Sequence, residues 1–275
     1  MKAVLQKEKK SISIICNHIF QSKKLKKDDA APGISKTNVA KNLAELEDVP
    51  FSHFHNHSQF SILQSTTEVS KLISKAVSYR MPAVALTDMG NMMAAFHFVQ
   101  AAEKHNKGIK EKTKELETKI ATPGTDLTEI ATMEFELEDL KKQLLKPVLG
   151  CDFFICRDHL DKTVKDNGYL VPILAKNKAG YHNLAKMVSE ASINGFYYVP
   201  RIDKQVVEQF KGDLIALTGG LQGEIPSLIL NEGEEKAEEA FKWWHEQFGE
   251  DFYVELNRHG IREEDHVNET LLRFA

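Results

Sequence analysis

The sequence predicts an α/β fold on a mainly parallel sheet, either open or closed into a barrel. Short apolar runs of strand length alternate six times with segments of helical spacing, the pattern of βαβ units. The polar residues best suited to chemistry, among them Asp88 and His259, follow the last residues of such runs, and both open sheets and barrels gather ligands at the carboxyl ends of their strands. A balance of 42% hydrophobic and 28% charged residues over 275 positions allows one large or two modest domains with a sizeable core.

The first expected element of the folded body is a strand through Pro50-Phe51-Ser52-His53-Phe54-His55-Asn56-His57-Ser58. Strand side chains alternate between faces with a period of two, so His53, His55 and His57 would project together. Neutral imidazole is the commonest protein ligand for zinc, manganese and iron, and ligands two apart on a strand can converge on one ion. Thr87-Asp88 adds a second polar cluster, and His57, Asp88 and His259 would all fall at strand ends around one shared site.

After the histidines, Ser65-Thr66-Thr67-Glu68 has the form of a capping box, followed by Val69, Leu72, Ile73, Ala76 and Val77 at helical spacing. Pro82 to Thr87 reads as a buried strand, with Gly90 in the turn to a helix through Phe96 and Val99. From Gly108 to Pro147 aromatics thin out, Lys and Glu accumulate, and Thr122-Pro123-Gly124-Thr125-Asp126 marks a turn. Ile130, Met133, Leu137, Leu140 and Leu144 give one narrow apolar stripe, so residues 110–146 are expected to form a projecting helical hairpin, either a solvated decoration or a docking element. Further strands are expected at Val148–Cys156, Tyr169–Ala175, Leu214–Thr218 and Phe252–Arg258, and further helices around Tyr181–Ala191, Glu235–Phe248 and Glu263–Phe274.

Charge and cysteine usage narrow the function classes. Net charge is −4, yet residues 1–42 hold ten lysines against Glu8, Asp28 and Asp29, which leaves −11 for residues 43–275. An acidic body gains nothing from counterion release on a phosphate backbone, so stand-alone DNA binding is disfavoured. The Lys23-Lys24-Leu25-Lys26-Lys27 run reads as a solvated tail, with nucleic-acid contact as the alternative, and residues 1–46 as a basic, flexible extension. Cys16, Cys151 and Cys156 form neither a C-x-x-C pair nor an even disulfide framework, which suits a reducing, cytoplasmic location. The apolar run Ser11-Ile-Ser-Ile-Ile-Cys16 is cut by Asn17 and His18 without a cleavage site, and no stretch reaches membrane-span length, so no membrane association is expected.

Longer motifs name a family. Phe51-Ser-His-Phe-His-Asn-His-Ser-Gln-Phe-Ser61 and Met81-Pro-Ala-Val-Ala-Leu-Thr-Asp-Met-Gly-Asn91 resemble the first motifs of the PHP (polymerase and histidinol phosphatase) domain. Lys146-Pro-Val-Leu-Gly-Cys-Asp-Phe153, Leu174-Ala-Lys-Asn-Lys-Ala-Gly-Tyr-His-Asn-Leu184, Gly195-Phe-Tyr-Tyr-Val-Pro-Arg-Ile-Asp203, Gly223-Glu-Ile-Pro226 and Phe252-Tyr-Val-Glu-Leu-Asn-Arg-His-Gly260 are similar to its form at the amino end of the alpha subunit of bacterial DNA polymerase III. The resemblance implies a distorted (β/α)7 barrel over residues 47–275, interrupted by the hairpin, with a metal cluster in its mouth. The family's last motif would lie beyond Ala275.

Carried across one at a time, the family's ligands match His55 and His57 as the HxH pair, His259 after the late strand, and Asp152 in place of a glutamate one methylene longer; His53 and Asp88 would stand behind them. Gln64, Met89 and Leu170 occupy positions where the family has an aspartate and two histidines. A thioether is a poor ligand for zinc or manganese and an isobutyl group is none, so four ligands would hold one weakly bound Zn or Mn ion, or none, rather than a cluster. The resemblance then implies a structural role: stabilising the rest of a polymerase chain and docking a separate proofreading exonuclease, with DNA met through the parent holoenzyme. The acidic triad that holds a polymerase's catalytic Mg is absent from these residues. An active phosphoesterase or 3′ to 5′ exonuclease is the alternative, and a free-standing interaction module a third reading.

Overall fold

The computed structural model describes residues 14–17, 51–122 and 126–275. It is a mixed α/β fold whose sheet curls into a half-barrel, consistent with the expected distorted barrel. In chain order the elements are β1 (Ile14–Asn17), α1 (Val69–Ser78), β2 (Ala83–Leu86), α2 (Ala95–Ile120), α3 (Leu127–Lys142), β3 (Lys146–Ile155), β4 (Tyr169–Ala175), α4 (Lys178–Ile193), β5 (Arg201–Ile202), α5 (Lys204–Phe210), β6 (Leu214–Leu217), α6 (Glu224–Asn231), α7 (Glu234–Phe248), β7 (Phe252–Asn257) and α8 (Arg262–Phe274). The strand order is β1-β7-β6-β4-β3-β2, with β5 also paired to β3.

Four strand pairs are parallel, but β4 runs antiparallel to both β3 and β6. The cause lies in the connection. A parallel return needs a crossover element, whereas the residues joining β3 to β4 form no helix or strand and simply turn the chain back. β1 comes from the segment expected to be a flexible extension: Ile14 to Asn17 pair in parallel register with Val254 to Asn257. The rest of that extension lies outside the described residues, as does the Pro123-Gly124-Thr125 turn.

Period-two alternation sorts the strands between two environments. Cys151, Phe153 and Ile155 of β3, Val171 and Ile173 of β4, and Phe252, Val254 and Leu256 of β7 face the helical layer, where Leu184, Met187, Phe241, Trp244, Val267 and Leu271 cover them. The intervening positions face the concave side. There Ala85, Leu174 and Leu217, with Phe54, Val148, Ile215 and Tyr253, form a small apolar plug, and the same face carries Asp152 and Glu255. A third apolar cluster joins Val69, Ile73 and Ala76 of α1 to Val84, Leu86, Phe98 and Ala102.

Two local expectations need correction. The capping box does not form: Glu68 itself is the N-cap of α1, with no side-chain cap bond. Ser65 Oγ instead donates to the His57 carbonyl. The hairpin is not a separate unit beginning at residue 110, because α2 runs unbroken from Ala95 through Ile120. Its Lys- and Glu-rich sequence continues a helix that starts in the core, and the helix formers that follow carry it through Gly108. α3 returns beside it, and the buried Asn106 amide fixes the return by bonding both the Leu145 carbonyl (2.8 Å) and N–H (2.9 Å). Among the described residues no helix is long and apolar enough to cross a membrane.

Candidate metal centre

The histidine segment is extended but pairs only as an isolated bridge, His53 to Val84. Ala85 N–H donates to the His53 carbonyl and Thr87 N–H to that of Asn56, so three residues on one side span two on the other and the alternation slips as in a bulge. Asn56 pins the irregularity through Nδ2 bonds to the His53 and Ala85 carbonyls. His53 leaves the site: its ring meets Phe51 edge-on at 4.8 Å. His55 and His57 stay together, ring centroids 5.1 Å apart.

Both reach Asp152. His55 Nε2 and His57 Nε2 each lie 3.1 Å from Asp152 Oδ2, and the three side chains offer ligand atoms within 4.8 Å of one another. Asp152 Oδ1 is buried and has no hydrogen-bond partner among the described residues. A buried carboxylate oxygen without a donor is costly, and an ion beside it would remove that cost. His55 is held from behind, its Nδ1 lying 2.9 and 3.0 Å from the two oxygens of buried Glu255. A carboxylate on the far nitrogen of a ligating histidine fixes its tautomer and raises its basicity. His55, His57 and Asp152 thus form a group whose donors could hold a metal ion.

Glu255 was not among the sequence candidates. The signal was present: it is the one charged side chain inside the apolar strand Phe252-Tyr-Val-Glu-Leu, at a concave-face position. Its backbone N–H is fixed by Thr218 Oγ1 at 2.9 Å.

The other expected residues take different places around this group. His259 does not join this group: its Nδ1 is 2.5 Å from Glu264 Oε1, and its backbone N–H donates to Glu264 Oε2 at 2.6 Å. Asp88 organises the adjoining loop, accepting from Ser58 N–H (2.6 Å), Ser58 Oγ (2.7 Å) and Ser61 Oγ (2.7 Å). Gln64 is exposed. Met89 is bridged in register to Asp152, beside it in the sheet. Leu170 is buried opposite Phe154, on the same face of the β3–β4 pair as Asp152 and two register pairs along from it.

Electrostatics tie the group together. Burial disfavours the His55 imidazolium, but the Glu255 and Asp152 carboxylates outweigh it and hold the pKa well above its ordinary 6.5. Burial would likewise raise the Asp152 carboxyl, yet His55 and then His57 hold it below the ordinary carboxylate value. For metal-free protein the signs follow by linkage. The raised His55 pKa contributes stability that is full below about pH 6.5 and is lost as pH rises through the folded-state value; the depressed Asp152 pKa contributes stability present above about pH 4 and lost at lower pH. Melting curves in EDTA should therefore show the parent losing stability above about pH 7 more steeply than Glu255→Gln. Parallel curves would remove the ion pair from the account.

Comparison with known proteins agrees with this frame. The PHP domain family matches residues 53–259, so the chain belongs to the PHP domain family. It is 37% identical over 229 residues to the DNA polymerase III subunit alpha of Borreliella burgdorferi, covering 82% of this chain and 17% of that protein. It is 31% identical over 214 residues to the protein of that name from Chlamydia trachomatis (76% and 14%), and 29% identical over 232 residues to that of Thermus aquaticus (82% and 16%). The chain thus spans less than a fifth of the length of these relatives.

Proposed function

We propose that this chain is the PHP region of a replicative DNA polymerase III alpha chain, with a degenerate metal site and a structural, partner-docking role. The observation that carries the reading is chemical: Met89, bridged to Asp152, and Leu170, on the same face two register pairs away, stand where the resemblance expects histidines. Two-metal hydrolysis needs two ions a few Å apart with open coordination positions. His55, His57 and Asp152, backed by Glu255, supply donors for a single Zn or Mn ion. A lone ion there would brace the concave face, joining the segment that carries His55 and His57 to β3 and, through Glu255, to β7. Its binding would release protons and strengthen with pH, because His55 must give up the charge that its carboxylates favour.

The remainder of the polymerase chain and a proofreading exonuclease are the proposed partners, with DNA reached through the holoenzyme, where the Mg-dependent nucleotide transfer would reside. The −11 balance of residues 43–275 supports indirect contact, since steering toward a polyanion needs positive potential. Two measurements on the purified chain test this together. Release of nucleotides from a 3′ end, and of phosphate from a simple monoester, should stay at background with Mn or Zn. Anisotropy with a primer–template duplex at about 0.15 M salt should give dissociation constants of about 10⁻⁶ M or weaker. Turnover that EDTA abolishes and Asp152→Asn removes would return the hydrolase to first place.

A further inference from the structure

Well apart in sequence from the histidine pair, the loop after β3 and the start of α5 bring together Asp158, His159 and Asp203, whose ligand atoms lie within 4.8 Å of one another. His159 and Asp203 are buried, 7% and 5% exposed, whereas Asp158 is at the surface. Asp203 divides its oxygens: Oδ1 caps α5 by accepting from Gln205 and Val206 N–H, and Oδ2 lies 2.6 Å from His159 Nδ1. On the other side of the ring, His159 Nε2 lies 3.2 Å from Glu190 Oε1.

A neutral imidazole has one N–H. His159 faces a carboxylate at each nitrogen, so whichever nitrogen carries the proton, the other turns its lone pair on an oxygen, and a cation there would relieve that repulsion. That cation is a proton or a metal ion. A carboxylate behind the far nitrogen is also the usual backing of a ligating histidine, as Glu255 backs His55. Formal charge points the same way. Asp158, Asp203 and Glu190 bring three carboxylates around one imidazole, while the Arg201 guanidinium is spent on backbone carbonyls. Asp158 also lines a surface cavity of about 310 Å³, which gives an ion access from solvent.

We propose that Asp158, His159 and Asp203 form a second divalent-cation site of the zinc or manganese class, separate from the barrel mouth and backed by Glu190. It would tie the β3–β4 loop to α4 and α5, bracing the outside of the fold. This goes beyond the reading of the mouth and stands independently of it, so the test uses Asp152→Asn to silence the mouth.

In that background, zinc alone is titrated, and crystals grown with zinc are measured at the zinc edge. Anomalous density is expected between Asp158, His159 and Asp203. Asp158→Asn, which removes an exposed ligand without emptying the core, should weaken zinc at that position at least about tenfold while leaving the melting temperature in EDTA unchanged. Absence of density there at saturating zinc, or Asp158→Asn binding zinc as tightly as its background, would overturn the proposal and leave His159 a hydrogen-bonded link between Asp203 and Glu190.

Discussion

Replacing Arg201 with methionine is expected to lower the unfolding free energy by about 3–5 kcal/mol, although Arg201 touches no candidate ligand atom of the mouth. Its guanidinium is fully buried and donates to four backbone carbonyls: Nε to Gly195 (3.2 Å), Nη1 to Asp166 (2.9 Å), and Nη2 to His159 (3.3 Å) and Asp161 (3.0 Å). The Tyr197 ring covers it at 5.3 Å. Methionine has similar bulk but no donor, so four inward carbonyls would lose their partners at once, and each bond from a charged donor is worth about 1.5–3 kcal/mol before relaxation. The packing leaves little room to adjust, since a Cβ on Gly195 would lie 1.9 Å from the Arg201 carbonyl oxygen. Arg201→Lys keeps the charge but not the fork, and should recover less than half of the loss. Urea unfolding of the three proteins measures this; a loss under about 1 kcal/mol for methionine would mean that solvent reaches those carbonyls.

The second large effect is a gain. Met89→His with Leu170→His should raise zinc or manganese affinity at the mouth at least about tenfold, equivalent to about 1.4 kcal/mol. Met89 is bridged to Asp152, and Leu170 shares its face two register pairs along, so both imidazoles would start on the face that carries the existing donors. Each single change should give part of the gain, and the double variant more than either. The cost is polar: Leu170 is buried, and an imidazole there without an ion would lack an assured partner, so the apo double variant should melt lower than the parent and recover on adding metal. Competition against a chelating dye reads the affinity. Unchanged uptake in the double variant would mean that these positions never belonged to the ion's surroundings.

How far the sequence could be read depended on whether the deciding interaction was local. Strands such as Tyr169–Ala175 and the amphipathic helices declared themselves because their periodicity follows the core they face. The antiparallel course of β4 did not, since pairing direction is set by the missing helix in the connection rather than by the strand itself. His55 and His57 were legible as a pair. Their separation from His53 was not, because it arises from a slip against β2 that Asn56 stabilises across the sheet. Glu255 and the Asp203–His159–Glu190 chain escaped for a similar reason: the partners are far apart in sequence, so a lone charge inside an apolar strand marks a buried acid without naming what it meets. The capping-box pattern was a local signal that misplaced the start: the helix begins at Val69, while Ser65 Oγ accepts from Thr67 N–H and donates to the His57 carbonyl.

The central claim is that the mouth of this PHP domain holds one ion at most. Anomalous scattering from crystals saturated with zinc or manganese tests it most directly, because it counts ions at the site itself. The account predicts a single peak bounded by His55, His57 and Asp152, or none, and nothing beside Met89 and Leu170. Two or more peaks in the mouth about 4 Å apart, the spacing of a hydrolytic metal pair, would contradict it.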